Sequence, residues 1–462
     1  MTCGTAQLLE QLSPRFSESV IGFTFLLQHA IVACIAGFGG SLADAQERKY
    51  CSWGWGRLKV LVLAMSLGTL AFFGHCLPGC VSGIFPNNNS ALLLAWHIIM
   101  RLIYAVSFGV MAPCLDGLSL AHLDCMKGAS TSDFGKERIY GALWWSVGSL
   151  ASRTGIDWYG FDVMYALLGV SILAFYISMV LYLWGLNRDT TGDFKPDGLT
   201  DVRRLRNSNG QQHKSNATSE NDVVLSNSSL LRMVVKPRYG RAFLFGIFLL
   251  AMGLSVDNSA SIFFDGLGAS STWMEIPVYY VAPFILKRYG PSRLLITVGV
   301  AYVICVVGYT LVADEMVFVL ILETLHAIFC AGFNVGSVEF IAGMIPEGHE
   351  SAGQGILIAV TYFGIVARLI FARWIQQSTL MVMTGSIGCA VLLTAELFYE
   401  KERPRTKNER IDAFEEKESD ESCGLIKSDS LASSGSDFAD GLTEGYMKKL
   451  KYDSLQKYVK DW

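Results

Sequence analysis

Long apolar runs separated by short polar stretches make up most of this chain of 462 residues. A run of about 18 or more apolar residues with few charges predicts a membrane-spanning segment. The backbone must satisfy its own hydrogen bonds in lipid, and the alternating pattern of a β-barrel strand is missing, so the runs are predicted to be α-helices. We predict about eleven spans by this rule, at residues 20–42, 58–77, 91–113, 139–151 with an extension to 156, 163–186, 242–264, 273–286, 294–312, 317–341, 355–375 and 379–398.

A long polar segment divides the predicted spans into two sets. The halves resemble each other, because residues 39–44 and residues 282–290 both end a span with small or apolar residues followed by charge and a basic turn. Repeated halves around a central loop are typical of secondary transporters. The predicted parts are a short N-terminal segment (1–18), an N-terminal helical bundle (19–186), a cytoplasmic central loop (187–239), a C-terminal helical bundle (240–399) and a disordered cytoplasmic tail (400–462).

Charge is distributed unevenly among the loops. Lys and Arg follow the first, third and seventh predicted spans, whereas the loops at residues 78–90, 264–272 and 313–316 contain neither. The positive-inside rule therefore places the basic loops in the cytosol. Composition agrees with a membrane protein, since 52% of the residues are hydrophobic and 17% are charged. We expect the lipid bilayer as a partner and no nucleic acid.

Enzyme signatures do not compete with this interpretation. The chain contains no P-loop, no GxSxG and no paired CxxC motifs, which are the common signatures of nucleotide, hydrolase and zinc sites. We therefore predict no enzymatic activity, no cofactor and no metal.

Several motifs resemble the major facilitator superfamily. Residues 40–44 with 56–59 are similar to its signature loop between helices two and three, with an insertion at 46–55. Residues 134–141, continuing to Trp145, resemble the start of helix five in the lactose-permease branch, the oligosaccharide and nucleoside proton symporters. Further similarities to helices four and eight to ten lie at residues 112–116, 274–277, 282–290 and 323–326.

The resemblance implies an all-α membrane protein with a two-bundle helical fold. It also implies a secondary active transporter that moves a small polar organic solute by alternating access. The first span here matches the second family helix, so we expect family helix one to be missing and the N-terminus to lie outside or in a lumen. The family's proton-coupling carboxylate falls at Phe329, and the resemblance therefore leaves proton coupling open.

Two residues carry the main substrate-site prediction. The family places a sugar-binding acid and an arginine at the positions of Asp116 and Arg138, and a stacking ring at Trp145. A carboxylate with a guanidinium suits a hydroxyl-rich ligand. The alternative is an ion pair at the helix ends, flanking one cytoplasmic turn, that holds the cytoplasmic side shut.

Other ionisable residues lie within the predicted spans. A charge there costs roughly 2.5–3.5 kcal/mol and should face a cavity or a partner. We expect Arg101, with Tyr104 one turn away, to join the substrate site together with Glu275 and Asn334. Asp257 and Arg368 are predicted to form an ion pair. The resemblance places Asp44, Arg57 and Lys59 in the gating loop.

A candidate proton route lies in the second half of the chain. Glu323 and His326 are one helical turn apart, and a histidine beside a carboxylate can titrate near neutral pH. The pair is therefore a candidate proton relay, and the alternative is a structural hydrogen bond.

The tail contains a candidate sorting signal. Glu421 precedes the apolar pair Leu425 and Ile426, a pattern similar to the acidic dileucine motif that coat adaptors bind as a short peptide. This favours an endosomal, lysosomal or vacuolar membrane over the plasma membrane. The alternative is a solvated tail that carries no sorting signal, which would leave the protein at the plasma membrane.

Two functions remain open at this stage. The first is the transporter, and the second is a non-transporting receptor or scaffold that retains the fold, which the missing helix and Phe329 would favour. The sequence names no substrate, since sugars, nucleosides, amino acids and drugs all fit a transporter fold.

Overall fold

A computed structural model describes most of the predicted helical part of the chain. The described residues are 18–50, 55–75, 77–80, 90–125, 130–160, 163–191, 227–254, 268–311, 316–346, 348–371 and 374–402. Throughout these ranges the regular structure is helical, which confirms the all-α prediction. Asp257 and the tail residues Glu421, Leu425 and Ile426 lie outside them.

The helices follow the predicted order of spans. In the first half they are α1 (Glu18–Tyr50), α2 (Trp55–Gly74), the short α3 (Leu77–Cys80), α4 (Ser90–Cys125), a 3-10 turn (Thr131–Asp133), α5 (Phe134–Tyr159) and α6 (Val163–Thr191). In the second half they are α7 (Asn227–Val235), α8 (Arg238–Leu254), α9 (Gly268–Tyr289), α10 (Pro291–Leu311), α11 (Met316–Ala342), α12 (Glu350–Phe371) and α13 (Gln377–Glu402).

Eight of these helices are long and apolar enough to cross a membrane: α1, α2, α4, α6, α10, α11, α12 and α13. Three others coincide with predicted spans. Helix α8 is described for 17 residues. Helices α5 and α9 carry polar and charged residues along their length, which lowers their hydropathy.

Several helices extend beyond the apolar runs that predicted them. Helix α1 continues past residue 42 to Tyr50, and α4 continues past Pro113, which lies inside it, to Cys125. Helix α4 therefore continues beyond the span predicted to end at residue 113, because a proline removes only a local hydrogen bond and polar residues prolong a helix outside the bilayer. Asp116 therefore lies inside α4, whereas Arg138 is the fifth residue of α5, near the start of that helix. Helix α7 also lies inside the segment predicted as the central loop.

The helices form two bundles that meet along two seams. In the first bundle, α2 and α4 pack on α1 and on each other. In the second, α13 packs on α8 and α10, and α11 packs on α9 and α10. Helix α12 lies along α1 and α4, and α9 lies along α5, so each seam joins one half to the other. This is the predicted two-bundle arrangement.

The seam beside α12 is tight where α1 and α4 end and α2, α5 and α12 begin. We call this region the basic end, because Arg48, Arg57, Lys136 and Lys287 lie there. A Cβ atom added to Gly40 would collide with the carbonyl of Ser351, and one added to Gly117 would collide with the Ser351 side chain. Glycine therefore permits near-backbone contact between the halves at this end.

Candidate functional site

The predicted pair of Asp116 and Arg138 forms an ion pair. The Nη2 atom of Arg138 on α5 donates to Oδ1 of Asp116 on α4 at 2.6 Å. The guanidinium carbon of Arg138 lies 5.2 Å from the centre of the Phe134 ring, one turn before it. Asp116 is buried, so the pair satisfies a carboxylate within the bundle.

The second half contributes to the same cluster. Glu275 and Tyr279 of α9 lie close enough to Arg138 to interact with it electrostatically. Asn334 of α11 donates from Nδ2 to the Tyr279 hydroxyl at 3.4 Å. Four predicted residues thus come together through Tyr279, which the sequence analysis missed although it lies one turn after Glu275 on the same helical face. We call Asp116, Arg138, Glu275, Tyr279 and Asn334 the central cluster.

Trp145 lies two turns after Arg138 on α5. Its side chain is 55% exposed. Its predicted role as a stacking surface stays a prediction.

Arg101 and Tyr104 lie in a different place from the central cluster. Arg101 is fifteen residues before Asp116 on the same helix, which corresponds to about 22 Å along the axis. Its Nε donates to Oε1 of Gln28 on α1 at 2.7 Å, and its guanidinium carbon lies 4.2 Å from the Phe25 ring centre. The single predicted substrate site is therefore two groups in the structure.

Aromatic rings continue from Arg101 across the seam. The Tyr104 ring lies 6.5 Å from that of Phe108, and Phe108 lies 6.1 Å from Tyr362 on α12. Tyr362 stacks on His29 of α1 at 5.5 Å. Spacing along a single helix could not identify these contacts, because the three helices are far apart in sequence.

The two residues of the predicted proton relay have separate partners. Glu323 accepts a hydrogen bond from the Tyr309 hydroxyl at 2.5 Å. The Nε2 atom of His326 lies 3.4 Å from the Cys330 sulfur on the same helix. Phe329 is fully buried and packs on Tyr302, with ring centres 4.6 Å apart. The relay itself stays a prediction.

Arg368 is buried on α12, as a residue in an ion pair should be. Its predicted partner, Asp257, is outside the described residues. The pairing therefore stays a prediction.

At the basic end, two of the three predicted gating residues, Asp44 and Arg57, contact the other half. Arg57 Nη2 lies 2.8 Å from Oδ1 of Asp44, and Arg57 also pairs with Glu350 on α12. Asp44, which is 0% exposed, accepts the Ala352 backbone N–H at 2.8 Å and so caps the start of α12 from the other half. Lys59 lies outside this cluster, exposed and 5.9 Å from the centre of the Trp55 ring.

A second bridge closes the other seam. Lys287 at the end of α9 lies 2.9 Å from Oδ2 of Asp133, and Lys136 lies 2.8 Å from Oδ1. Burial alone would raise the pKa of Asp133, but the hydrogen bonds from these two lysines outweigh it and hold that pKa below its ordinary value. Thr131 also donates to Glu339 of α11 at 3.1 Å. Side chains of both halves thus meet along the basic end.

The described residues include no group of three or more His, Cys, Asp or Glu side chains that could hold a metal ion.

Comparisons with known proteins identify the fold. The sequence matches the family profile described as the MFS_1 like family over residues 9–368. A sequence search of curated proteins found no match.

Solved transporter structures resemble this one along most of the chain. The proton:xylose symporter XylE bound to 6-bromo-6-deoxy-D-glucose superimposes with a TM-score of 0.56 at 18% identity, covering 89% of this chain and 94% of that one. The inward-open xylose transporter XylE from E. coli has the same score and identity, with coverages of 88% and 92%. A bacterial homologue of the iron transporter ferroportin, outward-facing with soaked iron, gives 0.50 at 13% identity, covering 84% and 91%.

These likenesses show the fold, and the profile covers well over half of the sequence. The chain is therefore a multi-pass membrane protein that belongs to the MFS_1-like family and has the transporter fold of the major facilitator superfamily.

Proposed function

We propose that this chain is a secondary active transporter that moves a small polar organic solute by alternating access. The observation that carries the proposal is the central cluster. Its charged and polar groups come from α4 and α5 in one half and from α9 and α11 in the other. Because a solute bound at this cluster would contact both halves, a movement of the halves relative to each other would be linked to movement of the solute.

The chemistry of the central cluster favours a hydroxyl-rich solute. Asp116 and Glu275 accept hydrogen bonds, Arg138 donates several, and Tyr279 can do both, which matches the alternating donors and acceptors of a sugar or nucleoside. XylE, similar in fold, is a proton:xylose symporter, which supports a solute panel that begins with sugars. Trp145 would supply a ring for stacking.

Alternating access requires the basic end to open and close. The clusters around Arg57 and around Asp133 both cross between the halves, and the positive-inside rule assigns this end to the cytosol. The structure then corresponds to a state closed toward the cytosol. Asp44 and Arg57 act as the gate, and release of the solute to the cytosol requires both bridges to separate.

Proton coupling is proposed to run through His326 and Glu323. His326 lies on α11, the helix that also carries Asn334 of the central cluster. In a proton-driven transporter, His326→Ala should flatten the pH profile of uptake. An unchanged profile in that variant rules out this route.

The test is uptake by the purified full chain reconstituted in liposomes. A panel of labelled sugars, nucleosides and amino acids is offered with and without a pH gradient. We expect one class to accumulate, and Arg138→Gln and Asp116→Asn to reduce its uptake by tenfold or more, on the order of the loss of one charge-assisted hydrogen bond.

Glu137→Gln is the matched control, because Glu137 is an exposed carboxylate next to Arg138 that is not part of the central cluster. It should transport normally. Solute binding without uptake by the wild-type protein would contradict transport and favour the receptor or scaffold alternative.

A further inference from the structure

Helix α7 is an amphipathic helix that leads directly into α8. Leu230 and Val234 are buried, whereas Leu231, Arg232 and Met233 are exposed. The helix contacts α1, α8 and α12. An amphipathic helix beside the start of a membrane span lies at the level of the lipid headgroups. We call α7 and the first two turns of α8 the α7–α8 corner.

The turn between the two helices fixes this corner at the basic end. A Cβ atom added to Gly240 would lie 2.1 Å from the Val234 carbonyl oxygen and 2.9 Å from the end of the Met344 side chain. Glycine permits this close approach, because it has no side chain. Met344 follows the last residue of α11, so the corner is joined to the second half of the protein.

Helix α8 has one face that its neighbours leave uncovered. Phe243 stacks on Phe340 of α11, and Gly246 lies against Leu392 of α13. Helix α12 packs on α8 as well. A stripe of side chains that begins at Arg241 lies outside these contacts and is exposed.

This stripe changes from basic to aromatic along the helix. Arg241 and Phe245 are one turn apart on the same face, and both are exposed. The Phe245 ring lies 6.3 Å from the ring of Phe248, about one turn further, and is nearly parallel to it. A cation followed by an apolar surface matches the order of headgroup and acyl chain in a phospholipid. The stripe therefore fits a lipid better than it fits a soluble anion.

The basic charge of the corner is not neutralised by neighbouring residues in sequence. Residues 223–256 contain no Asp or Glu, and their basic residues, all exposed, are Arg232, Lys236, Arg238 and Arg241. Within the described part of the chain, Arg232, Lys236 and Arg241 form no ion pair. Their charges are available to a partner.

Carboxylates on the helices that pack against the corner have other partners. Asp44 of α1 and Glu350 of α12 both pair with Arg57. Glu396 of α13 pairs with Arg293 of α10, with 2.6 Å between the nitrogen and the oxygen. These three acidic residues therefore leave the positive field of the corner in place.

We propose that the α7–α8 corner binds an anionic phospholipid of the cytosolic leaflet. Arg232, Lys236 and Arg241 surround the headgroup, and one acyl chain lies along Phe245 and Phe248. Clustered basic residues beside a membrane span attract anionic lipids, and a guanidinium donates paired hydrogen bonds to phosphate oxygens. A zwitterionic phospholipid carries the same phosphate without a net charge, so the corner selects lipids by charge. This inference concerns a lipid partner and does not depend on transport.

The test is a lipid titration of the purified full-length protein in detergent, read by native mass spectrometry. Phosphatidylserine, phosphatidylcholine and water-soluble glycerophosphoserine are added in separate titrations. We expect the apparent dissociation constant of the first phosphatidylserine to be at least tenfold lower than that of phosphatidylcholine. Glycerophosphoserine should bind weakly, because it has no acyl chain to cover the phenylalanine surface.

Charge-neutral variants locate the effect. Arg241→Gln should raise the apparent dissociation constant of phosphatidylserine about fivefold, the contribution of one basic residue near an anionic lipid. The triple variant with Arg232→Gln and Lys236→Gln should raise it more than tenfold. Arg293→Gln is the matched control and should leave it unchanged, because Arg293 starts another span but is already paired with Glu396. The three corner residues are exposed, so their variants are expected to fold.

A phosphatidylserine with a photoactivatable group in its acyl chain tests the position in liposomes. Cross-links are expected on the peptides that contain Phe245 and Phe248, and they should decrease in the triple variant. Equal affinity for phosphatidylserine and phosphatidylcholine, equal binding of glycerophosphoserine, or undiminished binding by the triple variant would each overturn the proposal. An effect of Arg293→Gln as large as that of Arg241→Gln would also overturn it, since any lost charge would then suffice.

Discussion

At the scale of single residues, the ion pair of Asp116 and Arg138 is asymmetric. The side chain of Asp116 is 10% exposed and that of Arg138 is 39% exposed. A carboxylate that loses its partner is left buried, whereas a guanidinium that loses its partner can still reach solvent or Glu275. The two residues therefore contribute differently to stability although they share one contact.

This asymmetry predicts unequal effects of the two neutral variants. Arg138→Gln should lower the free energy of unfolding by about 3 kcal/mol, because it strands a buried charge. Asp116→Asn should lower it by only about 1 kcal/mol, because the interaction lost by an exposed group is screened. Thermal unfolding of the purified variants checks the order.

The double variant Asp116→Asn with Arg138→Gln separates structure from function. It should recover most of the stability, because no buried charge is left alone, and should still fail to take up solute. Equal destabilisation by the single variants would contradict the asymmetry. Recovered uptake in the double variant would contradict a role of the pair in solute binding.

At the scale of helices, two kinds of contact close the basic end: ion pairs across the seams and close backbone approach along α12. Asp133 carries a lysine from each half, since Lys136 belongs to α5 and Lys287 to α9. Only the second of these bonds crosses a seam. The two lysine contacts of Asp133 are chemically similar, but only the contact with Lys287 connects one half of the protein to the other.

We predict that Lys287→Gln opens the basic end and Lys136→Gln does not. Lys287 is 52% exposed, so the effect should be modest, a change of about two- to fivefold in the ratio of closed to open protein. The rate of thiol labelling at a cysteine introduced at this end reports that ratio. Equal labelling of the two variants would show that the bridge does not hold the gate.

The same bridge should be insensitive to mild acid. The pKa of Asp133 is lowered from the ordinary 3.8, so the bridge contributes its full stability above that value and loses it only as pH falls through the lowered pKa. Labelling of the wild-type protein at this end should therefore not change, through Asp133, between about pH 5 and pH 8. Acid opening that disappears in Asp133→Asn would contradict this assignment.

Close backbone approach gives a second prediction at this scale. Gly117→Ala places a methyl group against Ser351 and should favour the open basic end, with faster labelling of the same introduced cysteine. Gly141→Ala on α5 is the control, because its methyl group would meet no atom within 4 Å. Labelling in Gly117→Ala that is no faster than in the wild type would mean that the halves tolerate the added volume.

At the scale of the whole molecule, the prediction concerns its subcellular localisation. We predict an endosomal, lysosomal or vacuolar membrane, because Glu421 with Leu425 and Ile426 is similar to an acidic dileucine signal. Leu425→Ala combined with Ile426→Ala should move a fluorescent fusion to the cell surface, since the two apolar side chains would fill a pocket on the adaptor. Leu431→Ala, in the same tail, is the control. A fusion that is already at the surface, and stays there in the double variant, contradicts the signal.

The sequence by itself determined the class and the order of elements. Apolar runs of bilayer length fix helices, because lipid offers the backbone no hydrogen bonds. Run length and hydropathy predicted eleven spans, and eight of the described helices are long and apolar enough to cross a membrane. The candidate roles of Asp116, Arg138, Asp44 and Arg57 came from the resemblance to the major facilitator superfamily, since all four lie just outside the predicted apolar runs.

Only the tertiary structure decided which of these residues meet. It placed Tyr279 beside Arg138 and joined Asn334 to Tyr279, moved Arg101 to a separate group, and brought Glu350 to Arg57 across 293 positions of sequence. It also ended α4 at Cys125, because a helix continues wherever its backbone hydrogen bonds continue, whatever the hydropathy. The local pattern of apolar and polar residues determines whether a segment forms a membrane-spanning helix. Partners that are distant in sequence depend on how the helices pack, and packing depends on shape and charge from the entire chain.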